Sequence, residues 1–331
     1  MFKPKNPVLD NLLKATASVD EKVAKASMQQ FATALELPLR QGVMSGPLLG
    51  DIFEQADYSG QRFVEYPLDF LAPGSEANHT AFTVPQCGFI PHNTVEGDYV
   101  LVPTYDVANS IDWCLHYAEN ANWNVVDRAM QVFRDGFVKK LNDDGSHVML
   151  AAGLDRNAVV YDSAAAAGQF TKRLVSLMKV FMRRNSGGNS TSTNKGRMTD
   201  LIISPEAEED IRNWGLSEVD DITRRQIFTS AEGLTSVFQV NLHSWEEFGV
   251  GAELELYYEN VLGGTLPAGD VEIVLGLDLS APNSSFVMPV RKQLQVYEDV
   301  TLLRAGRAGV WGRMSLGFAV LDSRATLLGS L

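Results

Sequence analysis

Five histidines are the first residues to ask about acid–base or metal chemistry: His79, His92, His116, His147 and His243. They are scattered through turn-like or mixed contexts, and none belongs to a His-Glu-x-x-His helix or lies beside a nucleophile elbow. The spacing predicts structural hydrogen-bonders rather than ligands. His116 and Asp112 are four apart and could share a helix face, but Cys114 lies two from each, and facing residues are three or four apart. No Cys-His dyad follows. Cys87 and Cys114 are the only cysteines, too few for a disulfide framework or a zinc knuckle. Gly249-Val250-Gly251 and Gly263-Gly264 lack the remainder of either phosphate-cradling fingerprint. The acids Glu206, Glu208, Glu209 and Asp210 read as a solvated helix face placed favourably for the helix dipole, with a metal cluster as the weaker alternative. The cations Arg304, Arg307, Arg313 and Arg324, amid Glu298, Asp299 and Asp322, could pair across a subunit contact. Exposed pairs contribute about 0–1 kcal/mol, so they would set register more than strength. Hence no catalytic residue, no cofactor and no metal ligand is expected, and the chain is not expected to be an enzyme.

Composition limits the partners. The 331 residues are 45% hydrophobic and 21% charged, ordinary globular values for a chain long enough to bury a sizeable core. A formal net charge of −13 argues against a sequence-reading nucleic-acid protein, which needs a basic stripe to neutralise phosphates. It does not exclude a container for DNA, because screening over about 8 Å mutes the repulsion. No run approaches the roughly 20 apolar residues that span a bilayer, and the start, Met1-Phe2-Lys3-Pro4-Lys5, has no apolar signal core. A reduced cytoplasm and no membrane partner are expected.

The elements follow in order. Asn6 and Pro7 look like an N-cap and a first-turn proline, and Leu9, Leu12, Leu13, Val19, Val23, Met28, Phe31 and Leu35 recur at roughly helical spacing. This amphipathic arm packs either on its own domain or on a neighbouring subunit. Pro38, Gly42, Gly46, Pro47 and Gly50 predict a boundary near 38–50. Val64, Tyr66, Leu68 and Phe70 alternate with polar residues, and the turn-rich Ala72-Pro73-Gly74-Ser75-Glu76 precedes a second extended stretch ending at Tyr99-Val100-Leu101-Val102, so a long hairpin with proline-marked edges is expected. Asn124 could cap a helix carrying Val125, Val126, Val132, Phe133, Phe137 and Leu141, spanning roughly 27 Å and ended by Asp143-Asp144-Gly145. A second helix starts near Ser163 and ends at Arg183-Arg184. A polar loop follows over 186–197. Leu201-Ile202-Ile203 is a buried strand leading into a helix capped by Ser204-Pro205-Glu206. Residues 220–228 read as a short helix. Strands are expected at 237–242, at 253–258 and at 271–279. Over 310–321, Val310, Gly312, Met314, Leu316, Phe318 and Val320 line one face of a strand, with Trp311, Arg313 and Ser315 on the other.

Two stretches carry a resemblance. Asp200-Leu201-Ile202-Ile203-Ser204-Pro205-Glu206-Ala207, and the C-terminal run with Tyr297-Glu298-Asp299, Leu302-Leu303-Arg304, Gly317-Phe318-Ala319-Val320 and Asp322-Ser323-Arg324-Ala325, resemble tailed-bacteriophage major capsid proteins, whose fold encapsulin shells share. The likeness covers most of 60–331 in order and the first 45 residues only loosely. It implies an α+β capsid fold: an N-terminal arm (1–58), an extended hairpin loop (59–104), a peripheral domain with a long spine helix (105–150 and 285–331), and a central axial domain inserted at 151–284.

The resemblance further implies a self-assembling structural subunit, building the icosahedral head around double-stranded DNA in the host bacterial cytoplasm. Its partners would be copies of itself in pentamers and hexamers, a portal, and a scaffold or a cement or decoration protein. The DNA would be enclosed without sequence-specific binding. Candidate intersubunit contacts are Leu9, Leu13, Phe31, Tyr66, Phe70, Pro73, Gly74, Glu76, Arg304, Arg307, Arg313 and Arg324. Two alternatives stay open: an encapsulin enclosing an enzyme, and a soluble α+β enzyme with a pocket joining distant acids or histidines.

Overall fold

The computed structural model describes residues 7–18, 20–44, 49–61, 63–67, 83, 99–119, 123–155, 158–185, 196–214, 236–267, 269–280 and 285–331. The chain forms two compact units. The first holds 1–65, 101–145 and 287–319, and the second holds 66–100, 146–286 and 320–331.

The first unit begins with α1 (Pro7–Thr16) and α2 (Glu21–Met44), which pack on each other. Ala24, Met28, Phe31, Ala32, Leu39 and Val43 are buried at three- to four-residue spacing, which makes the inner face of α2. Val23, expected on that face, is 45% exposed. α2 runs through Pro38 and Gly42 and ends at Met44, inside the boundary expected at 38–50. Pro38 is on the exposed side, and the burial of Leu39 and Val43 holds the turn that its missing N–H weakens.

After α3 (Leu49–Ile52) comes a sheet in the order β1-β10-β11-β4, with β12 (Ala319–Val320) beside β10. Its strands are β1 (Glu54–Asp57), β4 (Tyr105–Cys114), β10 (Phe286–Glu298) and β11 (Arg307–Leu316). β11 pairs antiparallel with β4 along all ten residues, from Arg307↔Cys114 to Leu316↔Tyr105. Val310, Gly312, Met314 and Leu316 are buried on one face as the alternation predicts. The expected continuous strand breaks at Gly317-Phe318, where Gly317 lies too close to the Pro103 carbonyl to carry a Cβ. Two short strands, β2 (Glu65–Pro67) and β3 (Tyr99–Leu101), make a separate ribbon. The rest of the expected hairpin lies outside the described residues.

After the short α4 (Leu115–Glu119), α5 (Trp123–Asp155) is 33 residues long, about 50 Å, and does not stop at Gly145 as expected. Asp144 accepts hydrogen bonds from Lys140 Nζ at 2.7 Å and from the Tyr105 hydroxyl at 2.6 Å, and Met149 and Leu150 are fully buried one turn on. Those contacts outweigh the roughly 1 kcal/mol that a helical glycine costs. In the first unit the helix lies on the sheet: a Cβ on Gly312 would meet Phe133 Cζ at 2.7 Å, and Asn109 Nδ2 donates to the Phe133 carbonyl at 3.2 Å.

The second unit is built on a six-stranded sheet, β5-β13-β9-β6-β8-β7. Its strands are β5 (Val159–Tyr161), β6 (Asp200–Ile203), β7 (Ser236–Val237), β8 (Val240–Ser244), β9 (Ile273–Leu277) and β13 (Thr326–Ser330). β6 pairs parallel with β8, and β9 runs antiparallel to both β6 and β13. One face carries α6 (Lys172–Asn185) and α7 (Pro205–Asn213), with Leu174, Met178, Met182, Leu201, Ile203, Ile211, Val274 and Leu327 in one core. The other carries the end of α5, whose Gly153 would place a Cβ 2.9 Å from Leu328.

Three expectations change in this unit. α6 begins at Lys172 rather than near Ser163, because Gly168 takes a left-handed φ of +75° and the Thr171 hydroxyl then accepts from Leu174 N–H as a cap. The strand expected at 253–258 is instead α8 (Glu253–Asn260), where Leu254 and Tyr258, four apart, are buried and Leu256 is exposed. β13 lies inside this sheet, between β5 and β9. The helix expected at 220–228 and the loop over 186–195 fall outside the described residues. The turn into α7 is as expected: Ser204 Oγ accepts from Ala207 N–H at 3.0 Å, with Pro205 in the first turn.

Candidate assembly surfaces

Leu13 and Phe31 are fully buried within the chain, and the Phe31 ring meets Trp113 edge to face at 6.2 Å. They anchor the arm on its own unit; they do not face outward. Leu9 lies in α1. Tyr66 is half-buried in β2, and Phe70, Pro73, Gly74 and Glu76 lie outside the described residues. Arg304 belongs to the short 3-10 helix Val300–Ala305, which Asp299 caps through Thr301 N–H.

Arg307, Arg313 and Arg324 have acids within the chain. Arg307 donates to Asp112 at 3.0 Å, and Arg313 donates to Asp106. Both are diagonal pairs across the β11–β4 ladder, set by the register Gly309↔Asp112 and Ser315↔Asp106. The guanidinium beside Asp106 holds that carboxyl below the usual range, although burial opposes it. Arg324, nearly buried, grips the Asp322 carboxylate at 2.8–3.0 Å. The exposed pairs lock strand register inside one subunit; nothing in them needs a second copy.

The residues that sequence reasoning passed over sit in the second unit. Asp200, at the start of β6, is buried and accepts from Asn241 Nδ2 at 3.1 Å and contacts His243 Nε2 at 2.9 Å. Burial works against its charge, yet hydrogen bonds from His243, Thr199 and Asn241 together lower its pKa. The signal was present in the sequence: an acid opening an otherwise apolar buried strand requires partners. His147 stacks on Tyr257 at 3.6 Å, and His116 lies exposed in α4. His79 and His92 lie outside the described residues.

Glu272 is 2% exposed, and its Oε1 has no hydrogen-bond partner. Burial pushes its pKa up to about 7; a Ser204 hydrogen bond opposes this, and the charges of Glu206, Glu255 and Asp210 add to it. Two of the acids read from sequence as a solvated face, Glu206 and Asp210, therefore act on a buried carboxyl. Among the described residues, no group of His, Cys, Asp or Glu has the arrangement to hold a metal ion.

Two open grooves lie among the described residues. One of about 700 Å³ in the first unit is lined by Glu36, Arg40, Arg291, Lys292 and Gln295 among others; one of about 580 Å³ in the second unit lies between Val250 and Val271. Neither contains a histidine. No described helix is long and apolar enough to cross a membrane.

Solved structures share the fold of this chain over most of its length. The capsid of Myoviridae phage XM1 aligns with a TM-score of 0.52 at 13% identity, over 86% of this chain and 90% of that chain. A chain of Microbacterium phage Oxtober96 gives 0.56 at 10%, over 86% and 90%, and the capsid of an empty GTA particle gives 0.50 at 13%, over 86% and 95%. No family model matches the chain and no curated protein does. The chain has the α+β fold of tailed-phage capsid proteins.

Proposed function

We propose that this chain is the major capsid protein of a tailed bacteriophage, self-assembling into an icosahedral head that encloses double-stranded DNA. The observation that carries the reading is the extent of the fold match: 86% of this chain aligns with 90% of the XM1 capsid chain, so nearly every part of that subunit has a counterpart. The net charge of −13 accords with a wall that encloses DNA without gripping it. Residues 1–58 serve as the arm, 59–104 as a strap over a neighbour through Tyr66, Phe70, Pro73, Gly74 and Glu76, 105–150 with 285–331 as the peripheral domain except for the closing strand β13, and 151–284 together with β13 as the axial domain. Leu9 and Arg304 belong to the same contact set, with a portal and a scaffold or cement protein as outside partners.

The test is electron microscopy of purified particles together with nuclease treatment. Uniform polyhedra containing nuclease-protected DNA are expected. Polyhedra filled with a folded enzyme identify an encapsulin, and small closed oligomers under every assembly condition reject the shell.

A further inference from the structure

The first unit holds its cations in two different ways. On β11, Arg307 and Arg313 are paired with Asp112 and Asp106. Arg40, Arg291 and Lys292 instead line the 700 Å³ groove, and among the described residues none of the three makes an ion pair. Lys292 shares a cross-strand row with Asp106, through Ser315, and adds only to the attraction that Arg313 already supplies. Glu36, one helical turn before Arg40, is the acid among the described lining residues. A chain of net charge −13 thus carries a concave site of net positive charge.

Two elements shape this groove. From Val290↔Leu316 to Gln295↔Arg313, β10 advances five residues while β11 advances three, so β10 carries two bulges in that short stretch. A regular strand sends successive side chains to opposite faces, and bulges re-aim them; Arg291, Lys292 and Gln293 line the groove in succession. β4 and β11, by contrast, pair without interruption. At the other border, Tyr58 N–H donates to the Val290 carbonyl at 2.9 Å, and a turn follows in which Gln61 N–H donates to the Tyr58 carbonyl and Gly60 takes a φ of +84°. Ser59 and Gln61 of that turn join the lining, while Asp57 Oδ1 accepts from Ser59 N–H at 2.9 Å.

Two guanidiniums, an ammonium, a hydroxyl and side-chain amides suit an anion with many oxygens, and each guanidinium can grip phosphate oxygens in pairs. We propose that this groove binds a run of linked phosphates, with Arg40, Arg291 and Lys292 each neutralising one. The phosphates come from the backbone of a nucleic acid or from a free polyphosphate. The site is read from its own charges and does not depend on the shell; under the shell reading, the enclosed DNA is the backbone at hand.

The test measures binding of a fluorescent random-sequence DNA duplex to the full chain across a salt series, with tripolyphosphate as competitor, for the wild type, Arg40→Gln, Arg291→Gln and Arg128→Gln. Far-UV circular dichroism confirms folding. Arg128 is exposed on α5 outside the groove, so its loss changes net charge equally. Three neutralised phosphates predict a log–log salt slope of about −2.7; each groove variant is expected to bind about threefold or more weakly with a slope shallower by about 0.9, and Arg128→Gln to match the wild type. Tripolyphosphate that displaces the duplex supports the site and names the free ion as its source; tripolyphosphate that fails to displace it supports the site and names the backbone. A wild type that binds neither probe, or an Arg128→Gln loss equal to that of the groove variants, overturns the proposal. Absence of particles rejects the shell while leaving these titrations to judge the groove.

Discussion

Two carboxyls in the second unit give opposite pH dependences. Glu272 has its pKa raised to about 7, so the folded state holds a proton that the unfolded chain releases near 4.5. The resulting penalty is absent below about 4.5, grows as pH rises and is complete above about 7, where it amounts to about 3 kcal/mol. Glu272→Gln is expected to raise the melting temperature at pH 8 and to leave it nearly unchanged at pH 4.5; equal shifts at both would remove the burial argument. Asp200 is the reverse case. Its lowered pKa adds stability above the ordinary carboxylate range that is lost as pH falls through the lowered value, and Asp200→Ala, leaving Asn241 and His243 without their acceptor, is expected to cost about 1–3 kcal/mol at pH 7 by chemical denaturation. Sequence signalled that Asp200 needs partners but not which, and gave no sign of the role of Glu272. Asp200 meets His243 only because β6 and β8 pair in parallel across 43 residues, and Glu272 differs from the solvated acids nearby solely in its burial.

Among the elements, local signals were legible and tertiary ones were not. The Ser204-Pro205 cap, the buried strand before it and the alternation in β11 depend on neighbours in sequence, and they formed as read. Leu254, Leu256 and Tyr258 satisfy a period of two and a period near four at once; only the burial of the first and last selects the helix. Pro38 and Gly145 are breakers by propensity, overridden by packing further along their helices. Pro38→Ala therefore restores an amide donor on an exposed helix face and is expected to stabilise the fold by about 1–3 kcal/mol, visible as slower hydrogen exchange in α2. Gly153→Ala is expected to run against propensity. Elsewhere it would add about 1 kcal/mol to a helix, but here the new Cβ meets Leu328 at 2.9 Å, and a loss of about 1–3 kcal/mol should appear in denaturant unfolding.

For the whole molecule, the shell reading puts a strap at the turn between the ribbon strands. Deleting Pro73–Asn78 is expected to leave the folded subunit intact and abolish closed particles; unchanged particles by electron microscopy would remove the strap from the mechanism. Arg307 and Arg313 were expected to pair across a subunit contact; their partners inside the chain, Asp112 and Asp106, were not legible because they lie some two hundred residues away and meet them only through the sheet. That separation has another side. β4 waits for β11, with Cys114 opposite Arg307, and β5 waits for β13, with Val159 opposite Leu328. Such distant pairings fold late. A ribosome that stalls between these strands releases a chain with two unfinished sheets. Topology acts here as an inspector: a chain cut short of β13 leaves β5 and β9 without the strand that joins them.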